Sequence, residues 1–341
     1  MKNLLYLILS TVLFIGCKDK GSKEVLLIEL EPSSVISEID SLFFVRVSLN
    51  SHNQNHFILG QFPSFLAKTN SKFEPLWVHD QEGEGPADLS YPEQSIIKDG
   101  KIFVLDHGNQ SLKAFNEING EFISSFRIPE PVMKNRFEIS NNGNFYFSIL
   151  GLNENKSVIE VDQQGNLIKH IGVSFPESGV GTNRQMKYFQ LDKNGNLILT
   201  GASLPYIEIL NKTGESINRY SLDKFEPIKR ALDSMENDII INKRGNQTNS
   251  IPSFIIDTQY DNGSLYVSFT DRIGLDRTKA RNLLEFRIDD NACELVRIYK
   301  FKTGTQDDGF HPANFYVDGV NRKLFAQGLI TKHIYEFELP N

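Results

Sequence analysis

The chain has 341 residues, with 43 acidic against 36 basic side chains for a formal net charge of -7, and no lysine- or arginine-rich stripe, which excludes nucleic acid as a partner. It holds 25 phenylalanines, and this abundance of residues that favour pleated, half-buried surfaces points to an all-β chain. The two cysteines, Cys17 and Cys293, give no disulfide framework once the first is modified, so stability must come from the core.

The elements begin with an export signal. Met1-Lys2-Asn3 leads into an apolar run from Leu4 to Ile15, closed by Gly16-Cys17. A basic start, a short apolar stretch and a small residue before the cut are the parts of a secretory signal. The run is shorter than the roughly 20 residues a spanning helix needs. Gly16-Cys17 resembles a bacterial lipobox, with Phe14 where Leu is usual, which implies cleavage after residue 16 and a lipid on Cys17. Residues 1–16 are read as signal peptide, 17–23 as a lipidated polar tether (Lys18 to Lys23) and 24–341 as the folded domain.

Within that domain a unit recurs: a Gly or Asn turn, a strand, a loop, a second strand, another Gly turn and a third strand. The clearest copy runs from Asp99-Gly100 through Lys101–Asp106 and Ser111–Phe115 to Asn119-Gly120 and Glu121–Phe126. Further copies start at Asn142-Gly143 and Asn194-Gly195, and weaker ones at His56, Asn262-Gly263 and Asp318-Gly319. Asn-Gly and Asp-Gly close tight hairpins because they tolerate positive φ. A lone small sheet cannot cover both its faces, so the copies must stack, and radial stacking makes a propeller. Six copies predict a six-bladed β-propeller, although the longer gaps leave room for a seventh. The last copy stops one strand short, and the stretch from Glu24 to Leu30 is the candidate that closes it.

One segment breaks the rhythm. From about 225 to 243, Ile228, Leu232, Met235 and Ile239 recur at helical spacing after Pro227. This predicts a short helical insertion, serving as a connector packed on the rim or as a lid or docking helix.

Asp99–Asp106 with Asn109 and Phe115 resembles an NHL-type blade. The stretch from Ile36 to Pro92, with Gly83-Glu84-Gly85-Pro86 and Tyr91-Pro92, resembles the six-bladed, TolB-like propeller lipoproteins common in Bacteroidetes. Ala87-Asp88 stands where Gly-Glu is more typical of that family. The resemblance implies a fold and a place in the cell envelope, and it carries no general activity. Lys18-Asp19 partly resembles the surface-export signal of that phylum, with Lys20 in place of an acid, so periplasmic and surface faces of the outer membrane both stay open.

Motifs of chemistry are sparse. Gly83-Glu84-Gly85-Pro86 lacks the Lys-Ser/Thr of a phosphate loop, and Asp192-Lys193-Asn194-Gly195-Asn196 reads as a hairpin turn and not a calcium loop. His-Glu-x-x-His, Gly-x-Ser-x-Gly and paired zinc cysteines do not occur. In a propeller the chain enters each blade at the central channel, so residues just before or on the innermost strand line its mouth. These are Glu93, Gln94, Arg136, Glu138, Arg184, Gln185, Ser253, His311 and Asn314. The mixture suits a polar ligand, calcium or another divalent metal held by oxygens, or simple solvation of the channel; no other cofactor is expected. The leading expectation is a monomeric, membrane-tethered binding or scaffold propeller for a protein, peptide or glycan. The alternative is a propeller hydrolase or lactonase with a metal at the channel mouth.

Overall fold

A computed structural model describes residues 25–39, 42–43, 46–149, 156–172, 186–233, 254–269, 282–288, 292–302, 310–328 and 331–340. The signal peptide, Cys17, its tether and the second half of the helical insertion, with Met235 and Ile239, lie outside the described residues.

Six sheets form the blades, each built around three or four consecutive antiparallel strands. Their inner strands are Val47–His52, Pro92–Lys98, Val132–Ile139, Lys187–Leu191, Ile255–Asp261 and Phe310–Asp318, which define blades one to six. Each inner strand neighbours the next, and the sixth returns to the first, so the ring closes with six blades.

The turns explain why these residues form hairpins. At Asp99-Gly100 and Asn262-Gly263 both central residues have positive φ, as a tight two-residue hairpin demands. The turn at residues 192–196 works differently, with Gly195 alone in the left-handed region and Asp192 organising the loop. Its Oδ1 accepts the Asn194 and Asn196 amides, both at 2.8 Å, which satisfies the turn from within.

Apolar side chains alternate onto the blade faces and meet between blades. Phe325 and Ile334 of blade six pack with Val47, Ile58 and Phe65 of blade one, making the closing seam as apolar as the others. Residues 226–233 form a helix, with Ile228 and Ala231 fully buried against blades four and five. The described part of the insertion is therefore a packed connector.

Ring closure uses the N-terminal segment, but not the strand expected from sequence. Leu26–Leu30 adds in parallel to the outer strand of blade five, Cys293–Phe301. The last blade is completed by Ser34–Ile36, which pairs antiparallel with Ile334–Glu338. The physical reason is Leu30. It is 4% exposed and packs in the cluster between blades five and six with Phe301, Tyr335 and Phe337. That anchor leaves Glu31-Pro32-Ser33 to carry the chain across the seam, where the Ser33 amide donates to the Glu336 carbonyl at 2.7 Å. Leu30→Ala is expected to cost about 2–5 kcal/mol. Leu26→Ala on the same strand, where the side chain is 52% exposed, should cost less than about 0.5 kcal/mol. Urea unfolding of the two variants checks this, and equal losses would refute the anchoring role.

Candidate functional site

All six inner strands line a cavity of about 200 Å³ on the propeller axis. Its strongest feature crosses the channel. Arg136 of blade three reaches past blade four to Asp257 of blade five, with Nε donating to Oδ1 at 3.0 Å and Nη2 paired with Oδ2. The two side chains are 17% and 3% exposed, so this bidentate pair is shielded from solvent. Burial pushes the Asp257 carboxyl up, and the Arg136 charge opposes that shift. Next to the pair, the Tyr188 hydroxyl donates to the Ile256 carbonyl.

Carboxamides tie the inner strands together. Asn50 donates to the Ser95 carbonyl at 2.6 Å, and the Gln94 side chain accepts the Phe137 amide at 2.8 Å. Gln190 donates to the Thr258 carbonyl and accepts the Tyr260 amide. Gln259 holds both backbone groups of Val317 in the same manner. The Tyr316 hydroxyl completes the return to blade one by donating to the Ser51 carbonyl at 3.2 Å.

The candidates from sequence divide accordingly. Glu93 is buried, accepts from Gln61 Nε2 at 2.5 Å and lies 3.9 Å from Arg46. Gln94 is a strand clamp, Arg136 half of the transverse pair, and Glu138 faces the cavity two residues further along the same strand. Burial pushes the Glu138 carboxyl up to about 8, against the pull of Arg136. Arg184, Gln185 and Ser253 lie outside the described residues. His311 and Asn314 are on the inner strand of blade six, with side chains outside the description.

Asp257 escaped the sequence reading, although it alternates with Gln259 on a strand whose axial face the spacing defines. A second group was also missed. Asp106 pairs with Lys113 Nζ at 2.8 Å, both buried, and accepts from the Asn109 side chain and the Ser90 amide. Lys113 also donates to the Gly85 and Asp88 carbonyls. This network fastens the Gly83–Asp88 loop to blade two, so that loop has a structural task. Buried glutamates recur on third strands as Glu160, Glu208 and Glu285, paired with Lys169, Arg219 and Arg297 on the fourth. Their signal was a lone acid inside an apolar strand, as in Tyr206-Ile207-Glu208-Ile209. Among the described residues no three His, Cys, Asp or Glu side chains are grouped as a metal site.

No family model matches the chain. A segment of 62 residues is 31% identical to human NHL repeat-containing protein 3, covering 18% of each protein. The chain thus spans about a fifth of the curated relative it matches. Among solved structures, a Bacteroides fragilis protein described as exported aligns with a TM-score of 0.55 at 15% identity, over 89% of this chain and 88% of that one. A Bacteroides uniformis protein described as a 6-phosphogluconolactonase aligns at 0.50 and 10% identity, over 86% and 80%. These likenesses establish the propeller fold.

Two outcomes follow from the axial chemistry. Arg136→Met strands a buried carboxylate and should cost about 3–5 kcal/mol, whereas Arg136→Met with Asp257→Leu should recover most of that loss. Chemical denaturation of the single and double variants tests it; equal losses would mean the pair does not act as a unit. The raised Glu138 carboxyl makes the folded state hold its proton more tightly than the unfolded chain, whose value is near 4.5. Its contribution is complete below pH 4.5 and disappears as pH rises through about 8. Unfolding curves across that window should show declining stability, and Glu138→Gln should flatten the decline.

Proposed function

We propose that the protein is a lipid-anchored envelope module whose propeller binds a protein, peptide or glycan partner without turning it over. The observation that carries this reading is the Arg136–Asp257 pair, which spends the strongest axial charges on joining blades three and five. Likewise, Asn50, Gln94, Gln190 and Gln259 spend their amides on neighbouring backbone. Such groups brace a scaffold, whereas a catalytic site needs acids, bases or ligands aimed at a substrate. The apolar start ending at Gly16-Cys17 and the exported Bacteroides neighbour support the envelope address, on a periplasmic or surface face.

The competing reading is a hydrolase or lactonase with a channel metal, favoured by the fold shared with the protein described as a 6-phosphogluconolactonase. The readings part on two measurements of the purified chain. A binding module retains an envelope partner and leaves it chemically unchanged. Stoichiometric calcium or zinc together with turnover of a lactone overturns the binding reading. For the anchor, Cys17→Ala should move the protein from the membrane fraction to the soluble fraction of the envelope; persistence in membranes refutes lipidation.

A further inference from the structure

Leu26–Leu30 is the outermost strand of blade five, farthest from the axis, and among the described residues its second edge pairs with no other strand. Exposure falls along it. Val25, Leu26 and Leu27 are 38%, 52% and 56% exposed, Ile28 is half-buried, and Leu30 is buried in the cluster between blades five and six. The free apolar side chains therefore gather at the end where the chain arrives from Cys17, and the buried anchor sits at the other end.

An open strand edge with consecutive exposed apolar residues invites association, and proteins ordinarily charge or cover such an edge. The nearest charged group on this strand is Glu29, and it is paired with Lys302 at 2.5 Å. Exposed apolar side chains occur on other outer strands too, as at Leu76, Ile123 and Ile217. What sets residues 25–27 apart is the chain that leads to them.

That chain is short. Val25 follows Cys17 by eight positions, a span of about 26–29 Å fully stretched and about 14–17 Å as a flexible coil. A folded domain of this length has a radius of gyration of about 20 Å. With a lipid on Cys17, the rim of blade five stays beside the membrane surface. Blade two, opposite it in a six-bladed ring, is turned away. Lys18, Lys20 and Lys23 outnumber Asp19 and Glu24 along the tether, a charge that complements anionic headgroups.

We propose that Val25, Leu26 and Leu27 lie in the headgroup layer of the bilayer that carries the anchor, so that the propeller stands on the rim of blade five. This rests on the reading that Cys17 is lipidated. Contact stays at headgroup depth, because the free N–H and C=O groups of the strand edge need polar partners that hydrocarbon does not offer. It orients the protein without holding it. A single myristoyl chain already binds membranes only marginally, and three partly exposed side chains have less apolar surface to bury. Release of Cys17→Ala from membranes is therefore still expected. The propeller axis then runs along the membrane plane, which leaves both mouths of the channel open to a partner.

Tryptophan quenching in vesicles tests the contact. The full chain carrying Leu27→Trp is expressed in bacteria, purified in detergent and reconstituted in phosphatidylethanolamine–phosphatidylglycerol vesicles whose acyl chains are brominated near the headgroups. The mass of the N-terminal peptide reports separately whether Cys17 is lipidated. If it is not, the anchor reading fails, and the Cys17 thiol is coupled to a maleimide lipid so that the rim is still tested; Cys293 is buried and does not compete. Wild-type protein, with Trp77 alone, sets the baseline. Ile118→Trp is the control, at a side chain 80% exposed on blade two. Both substituted side chains are exposed, and thermal melts confirm that the variants fold.

The expected result is quenching of Leu27→Trp several-fold above that of Ile118→Trp, with the latter near the baseline. The proposal is overturned if Leu27→Trp is quenched no more than wild type, or if the two variants are quenched equally. A dimer in detergent that Leu26→Lys with Leu27→Lys dissociates overturns it in favour of pairing between two copies of the strand.

Discussion

Each inner strand turns an unpaired edge towards the propeller axis, and its backbone groups must find partners in a space too narrow for another sheet. The rest of the architecture follows from how that edge is satisfied. Side chains from one blade reach the backbone of the next: Asn50 to Ser95, Gln94 to Phe137, Gln190 to Thr258 and Tyr260, Gln259 to Val317. A carboxamide suits this task because it carries a donor and an acceptor in one plane and meets an N–H and a C=O together. Water could solvate such an edge, but it would not fix the angle between blades. The amides do both, and they make the axis a structural element in its own right.

Charges within the blades obey the same logic under stricter terms. Glu208 is fully buried and bonded to Arg219, and Glu285 receives both Arg297 and the Tyr299 hydroxyl. Pairs of this kind contribute little net stability over apolar replacements, because desolvation offsets most of the attraction. What they impose is register, since a slip by one residue would leave a buried carboxylate facing apolar neighbours. The Asp106–Lys113 pair extends that control to a loop, holding Gly83–Asp88 against blade two through the Gly85 and Asp88 carbonyls.

Much of this was legible in the sequence because the turns repeat. Asp99-Gly100 and Asn262-Gly263 announce hairpins through backbone geometry that is local, and local signals survive without knowledge of neighbours. The choice of closing strand was not legible for the opposite reason. Leu26–Leu30 has the stronger apolar character, yet its partner was decided by Leu30 fitting between Phe301 and Phe337, residues far away in the chain. Ser34–Ile36, with three residues, has almost no pattern to read. At the axis, Arg136 and Glu138 were found because the chain enters each blade at the channel, which puts residues of the innermost strand at its mouth. Their pairing was hidden, since nothing local links Arg136 to Asp257 across two seams.

The transverse pair also divides the axis into unequal environments. On one side lie Glu93, Gln61 and the half-exposed Arg46, near the ends where the chain enters each blade. On the other lie the hairpin turns of blades three to five, which bring Glu138, Asp192 and Asp261 to one cavity. The division depends on Arg136 and Asp257 meeting across blade four. A closed ring with a barred axis resists relative motion of blades three and five. The polar groups on either side are therefore held at fixed separations, which is the condition for any ligand or partner to be recognised by shape as well as by charge.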